Sequence, residues 1–115
     1  MNKNKLIVLV NELKNNKKKI KKYIDFHKNP FSEVVKDLEE KPIGRMRIFI
    51  NANKLVMLLE VNLDFDIKKG IHIEPFNSKV KEWQKLMGSL FLELESGEIR
   101  NWEKTELIFD TKDYY

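Results

Sequence analysis

The sequence predicts an α+β fold: an antiparallel sheet of four to six strands, with two N-terminal helices and one short inserted helix packed on it. Two observations carry this. Apolar residues recur at steps of three and four up to about residue 40 and again over 78–87. Between and after these stretches the apolar period drops to two, with Gly and Asn turn residues separating the alternating runs, as in hairpins.

Residues 1–28 read as a basic N-terminal helix. Leu6, Leu9, Val10, Leu13, Ile20, Tyr23, Ile24 and His27 step by three and four, with a polar rung at Asn16 and Lys17. The rival reading makes residues 5–10 a strand, because Ile7 and Val8 are β-branched. The helix is preferred because its period continues past residue 10. Asn29 and Pro30 end it, since the residue before proline is pushed out of the α region. The same pair opens a second helix over 29–41, with Phe31, Val34, Val35 and Leu38 on one face and Pro42 and Gly44 beyond its end.

Residues 45–110 read as mainly β. Met46, Ile48 and Ile50 form a short strand, and residues 51–53 a turn. Residues 54–66 form a long strand, with Val61, Leu63, Phe65 and Ile67 on one face. A turn at 68–70 leads into a partner strand at 71–74. Ser78 opens the inserted helix, which carries Val80, Trp83, Leu86 and Met87, with Gly88 as its stop. Strands are expected around 90–95, 99–102 and 106–110.

The 115 residues fit one domain, of a size that builds a core without staples. The chain holds no cysteine, which excludes disulfides, thiolate metal sites and cysteine nucleophiles. The run at 6–10 is too short for a secretory core, and no apolar run approaches a membrane span. A cytoplasmic protein is expected.

Net charge is +4, unevenly spread. Residues 1–28 carry nine Lys against Glu12 and Asp25, and the rest of the chain is net negative. Such asymmetry marks either a surface for nucleic acid or acidic partners, or a solvated face. Lys14, Lys17, Lys18, Lys21 and Lys22 are the candidate nucleic-acid contacts. They supply charge for phosphate but no Arg, Gln or interleaved aromatic for base readout.

A second candidate is the polar face of the 60–74 hairpin: Glu60, Asn62, Asp64, Asp66, His72 and Glu74. It offers a partner-binding surface or, with His72 among carboxylates, a metal-dependent enzyme site. A calcium loop fails, because Lys68 sits where Asp or Asn belongs and no closing Glu follows. His27 reads as a packing or capping residue, Trp83 as core, and Trp102 as either core or an interface anchor. No serine lies in a Gly-x-Ser-x-Gly setting, no His pair has metal-ligand spacing, and the four glycines form no phosphate loop. No catalytic residue, metal or cofactor is expected.

Asp64-Phe65-Asp66 through Gly70-Ile71 is similar to a hairpin of small immunity-type proteins of bacterial toxin systems. Residues 95–102 resemble a hairpin of uncharacterised small bacterial proteins, except that Glu103 replaces the proline after Asn101 and Trp102. The resemblance implies a non-enzymatic binding protein that blocks a protein partner, such as a toxin or effector, in the manner of an immunity protein, antitoxin or phage inhibitor. Nucleic-acid binding through the basic helix is the alternative.

Overall fold

A computed structural model describes residues 4–41, 43–67, 77–92 and 102–115 of the chain. It has the α+β architecture expected: among the described residues, three α-helices and a four-stranded antiparallel sheet. In chain order the elements are β1 (Asn4–Glu12), α1 (Lys17–Lys28), α2 (Ser32–Glu40), β2 (Ile43–Asn51), β3 (Lys54–Asn62), α3 (Ser78–Leu90) and the short β4 (Glu103–Lys104). The strand order is β2-β3-β1-β4.

The first departure from the sequence reading is β1. Residues 4–12 are a strand, not the start of a long helix. β1 lies between β3 and β4, so it is apolar toward both faces. A run apolar on both sides matches a three-to-four template by accident. Leu9, Asn11 and Leu13 are buried on one face, with Ile7 half-buried beside them, while Leu6, Val8 and Val10 face the other way. The polar rung at Asn16 is the true helix start. Its Oδ1 accepts from the backbone N–H of Lys18 at 3.0 Å and of Lys19 at 3.2 Å, which caps α1.

β1 pairs with β3 in unbroken register, from Asn4 opposite Asn62 to Glu12 opposite Lys54. β2 and β3 form the expected hairpin, closed through Asn51 opposite Lys54, with Ala52 at a φ of 56° in the turn. The register of β2 shifts between Ile43 and Met46. Gly44 sits in that shift, where an added Cβ would meet the Glu60 carbonyl oxygen at 3.1 Å.

The expected strand at 54–66 stops at Asn62. A turn follows in which the Phe65 N–H donates to the Asn62 carbonyl at 3.1 Å. Leu63 is therefore exposed, while Phe65 and Ile67 return to the core. The strand expected at 106–110 is irregular chain. The hairpin partner at 71–74 and the turn at 68–70 lie outside the described residues.

α3 runs through Gly88 to Leu90 and does not stop at the glycine. Beyond it, Leu13 and Phe91 bridge: the Leu92 N–H donates to the Glu12 carbonyl at 2.7 Å, and the Lys14 N–H to the Leu90 carbonyl at 2.9 Å. All three helices cover the face of the sheet that carries Leu9, Leu55, Met57, Leu59 and Val61, and there the core lies. No helix among the described residues is long and apolar enough to cross a membrane.

Two substitutions test this packing. Leu59 is fully buried in the central sheet, and Leu59→Ala is expected to lower unfolding stability by about 2–5 kcal/mol. Nothing lies within 4 Å of a Cβ added at Gly88. Gly88→Ala is therefore expected to raise stability by about 0.5–1 kcal/mol. Urea unfolding followed by circular dichroism measures both, and a destabilising Gly88→Ala would contradict an uninterrupted α3.

Candidate active site

The helices meet in a seam of aromatic rings. α1 contributes Tyr23, Phe26 and His27, one face of a helix at spacings of three and four. Phe31 precedes α2, and Trp83 comes from the buried stripe of α3. The Trp83 ring meets Phe26 edge-on at 6.0 Å, Phe31 at 5.4 Å and His27 at 5.2 Å between centroids. Tyr23 lies 4.2 Å from His27 and 5.9 Å from Phe91, which in turn meets Trp102 at 5.9 Å. Edge-to-face pairs of this kind add about 0.5–1.5 kcal/mol each beyond their buried area.

His27 is the chemical group in this seam. Its Nδ1 lies 2.8 Å from the Tyr23 carbonyl oxygen, one helical turn back. A carbonyl only accepts, so Nδ1 carries the proton and Nε2 keeps a free lone pair. The half-buried ring is held below the ordinary histidine pKa of 6.5, because burial disfavours the imidazolium more than the carbonyl contact supports it. A neutral imidazole of fixed tautomer, walled by aromatic rings, is a competent proton acceptor. Burial pushes the Tyr23 phenol far above its ordinary value, so it stays protonated at neutral pH.

Beside the seam, an open groove of about 490 Å³ runs over α1, lined by Lys18, Lys21, Lys22, Asp25, Phe26 and Asn29. It shares Phe26 with the seam, and His27 is not among its lining residues. Lys22 sits over the Phe26 ring at 5.9 Å, and Lys21 pairs with Asp25 at 2.8 Å.

The residues singled out from sequence do not gather here. Of the proposed basic set, Lys17, Lys18, Lys21 and Lys22 lie exposed along α1, while Lys14 precedes the helix and donates to the Ser89 carbonyl at 3.1 Å. Glu60 and Asn62 lie on β3 facing away from the helices, and Asp64 and Asp66 are exposed past its end. His72 and Glu74 lie outside the described residues. Trp102 is buried against Phe91 and is no exposed anchor. Among the described residues no group of His, Asp and Glu is placed to hold a metal ion. His27 had been assigned to packing, and it does pack. The missed signal was the Tyr23-x-x-x-His27 spacing, which puts both rings on one helix face.

Comparison with known proteins gives three findings. Residues 7–111 match the family described as L-rhamnose mutarotase. A UPF0734 protein from Dictyostelium discoideum is 36% identical over 80 residues, covering 66% of this chain and 62% of that protein. The chain thus spans less than two thirds of that relative's length. The crystal structure of L-rhamnose mutarotase from Formosa agariphila superposes with a TM-score of 0.64 at 19% identity, covering 92% of this chain and 97% of that one. That likeness supports the α+β fold.

The family match overturns the immunity-type resemblance, and with it the non-enzymatic inhibitor, the antitoxin and the toxin or effector partner. The two hairpins that carried the resemblance fall largely outside the described residues, and both are turn-and-strand patterns shared by many folds. Nucleic-acid binding by the basic helix finds no support in these similarities either. With all but its ends matched, the chain belongs to the L-rhamnose mutarotase family.

Proposed function

We propose that this chain is an enzyme that interconverts the anomers of a small reducing sugar, with L-rhamnose the first substrate to test. The observation that carries this reading is His27, a neutral imidazole fixed at Nδ1 and walled by aromatic rings, in a chain of this family. The absence of cysteine fits action in the cytoplasm.

Anomer exchange needs proton transfer and no redox chemistry. His27 Nε2 takes the proton of the anomeric hydroxyl while the bond from C1 to the ring oxygen breaks. The ring oxygen takes a proton, from the imidazolium just formed or from water. The open-chain aldehyde turns about the C1–C2 bond and the ring closes on the opposite face. The same transfers in reverse restore the neutral imidazole, and nothing is consumed. The aromatic walls suit a sugar, whose C–H faces are weakly positive and match the negative face of a ring.

His27→Gln keeps the size and polarity of the side chain and removes the base. It is expected to lower kcat about 10²–10⁴-fold. Exchange spectroscopy between the two anomer resonances of L-rhamnose measures this above the spontaneous rate. Equal exchange by the variant and the parent chain would reduce His27 to packing.

The pH dependence has a defined sign. The base works unprotonated and its pKa is lowered, so the acid limb of kcat/KM should fall below 6.5. Stability shifts in the same window. Below pH 6.5 the unfolded chain binds the proton that folded His27 resists, so unfolding free energy falls as pH drops through the folded pKa. Urea midpoints of the parent and His27→Gln chains should therefore converge in acid.

A further inference from the structure

We propose that the side-chain amide of Asn11 is a sugar-binding group, whose Nδ2 donates to a hydroxyl of the sugar on the sheet floor of the aromatic seam. The inference rests on the sugar-converting function proposed above and adds a specificity-determining residue to it.

Among the described residues of the sheet, Asn11 is the one buried polar side chain, 2% exposed. It stands on the helix-covered face of β1 between Leu9 and Leu13 and opposite Leu55 of β3, all three fully buried. Burying an amide in such company is unfavourable unless both its ends are paired. One end is. Oδ1 accepts from the Glu12 N–H at 2.7 Å, and because that contact needs an acceptor, it fixes which end of the amide is the NH₂. The other end is not. Nδ2 is buried and has no hydrogen-bond partner among the described residues. A leucine would fill this place without that cost, so the unpaired donor calls for a partner that arrives with the ligand.

The position of the donor selects the ligand. β1 and β4 pair Leu9 with Lys104 and Val10 with Glu103, and the same register brings Trp102 opposite Asn11. Phe91 bridges to Leu13, two residues along the same face. Trp102, Phe91, Tyr23 and His27 then make an unbroken run of ring contacts, at 5.9, 5.9 and 4.2 Å between centroids. The run begins beside Asn11 and ends at the base. A pyranose lying along it gives C1 to His27 and a hydroxyl remote from C1 to the floor. The donor is neutral and its surroundings are apolar, which suits an uncharged hydroxyl. A few placed polar groups in an otherwise apolar site fix a ligand's orientation. A site built to bind one hydroxyl also rejects the analogue that lacks it, because the buried donor is then left unpaired.

Two measurements test it. In the isotope-labelled full chain, the Asn11 side-chain NH₂ resonances are followed by NMR as L-rhamnose is added. A new hydrogen bond should move them downfield. Asn11→Leu, checked for folding by circular dichroism, should lower kcat/KM for anomer exchange by at least about tenfold, chiefly through KM because His27 is untouched. That loss should disappear for one of a set of rhamnose analogues, each lacking one ring hydroxyl. An Asn11 NH₂ that stays still while other seam resonances move would overturn the proposal and leave the amide only holding the Glu12 N–H. So would a folded Asn11→Leu chain that works like the parent, or one that loses the same factor on every analogue. Failure of the proposed function looks different. Exchange at the spontaneous rate by the parent chain, with the NH₂ resonances shifted by sugar, strikes the catalysis and leaves the binding group standing.

Discussion

β1 is apolar toward both faces, and its pairing between β3 and β4 sets which face the helices cover. Its central place in the sheet follows from that pattern. The strand pairs with β3 along its whole length and with β4 at Leu9 and Val10. Leu9 and Leu13 then demand a cover on one side, while Leu6, Val8 and Val10 face the other. The helices answer that demand. They return over the sheet because the chain turns at Asn16 and at Asn29–Pro30, and because α3 is tied at its end to β1 through Leu13 and Phe91.

Covering that first face creates the site. α1 and α3 meet through ring pairs, Phe26 and His27 against Trp83, so the seam between them is polarisable. An imidazole placed in it loses hydration, which keeps it neutral. Its contact with the Tyr23 carbonyl lies within one helical turn and costs no additional chain ordering. The tautomer is therefore set by the helix that presents the ring, and only Nε2 remains for chemistry. Asn11 shows what the same burial costs elsewhere. Its Oδ1 accepts from the Glu12 N–H, but its Nδ2 has no partner among the described residues.

The hairpin of β2 and β3, the helix at 32–40 and the inserted helix were legible because each shows one clean period bounded by turn residues. β1 was not, because a two-sided strand has no period of its own, and its neighbour α1 lent it one. Gly88 was misread as a stop because a glycine inside a helix costs only about 1 kcal/mol, which packing of Val80, Trp83, Met87 and Leu90 outweighs. His27 was visible but silent. Chemistry was sought in pairs, such as a His with a carboxylate, a His with a His, or a Ser with a base. The candidate site gathers one histidine, a backbone carbonyl and rings from three segments. The Tyr23-x-x-x-His27 spacing was there to be read, but the approach of Trp83 leaves no spacing that a reader of the chain can recognise.

The lysines of α1 illustrate why the strongest compositional signal pointed away from the candidate site. Lys17, Lys18, Lys21 and Lys22 are exposed, and the Lys21–Asp25 pair lies on the open helix surface, where such pairs stabilise by little. Under the proposed function the substrate is a neutral sugar, which carries no charge for them to steer. They do keep the outer face of α1 hydrated, which fixes the inner, aromatic face toward α3. In an amphipathic helix the polar stripe and the apolar stripe constrain each other. Neutralising the outer stripe would weaken the preference that turns Tyr23 and His27 inward. The charge of this helix thus bears on the candidate site through orientation: it helps decide which face of α1 meets water, and so where the imidazole stands.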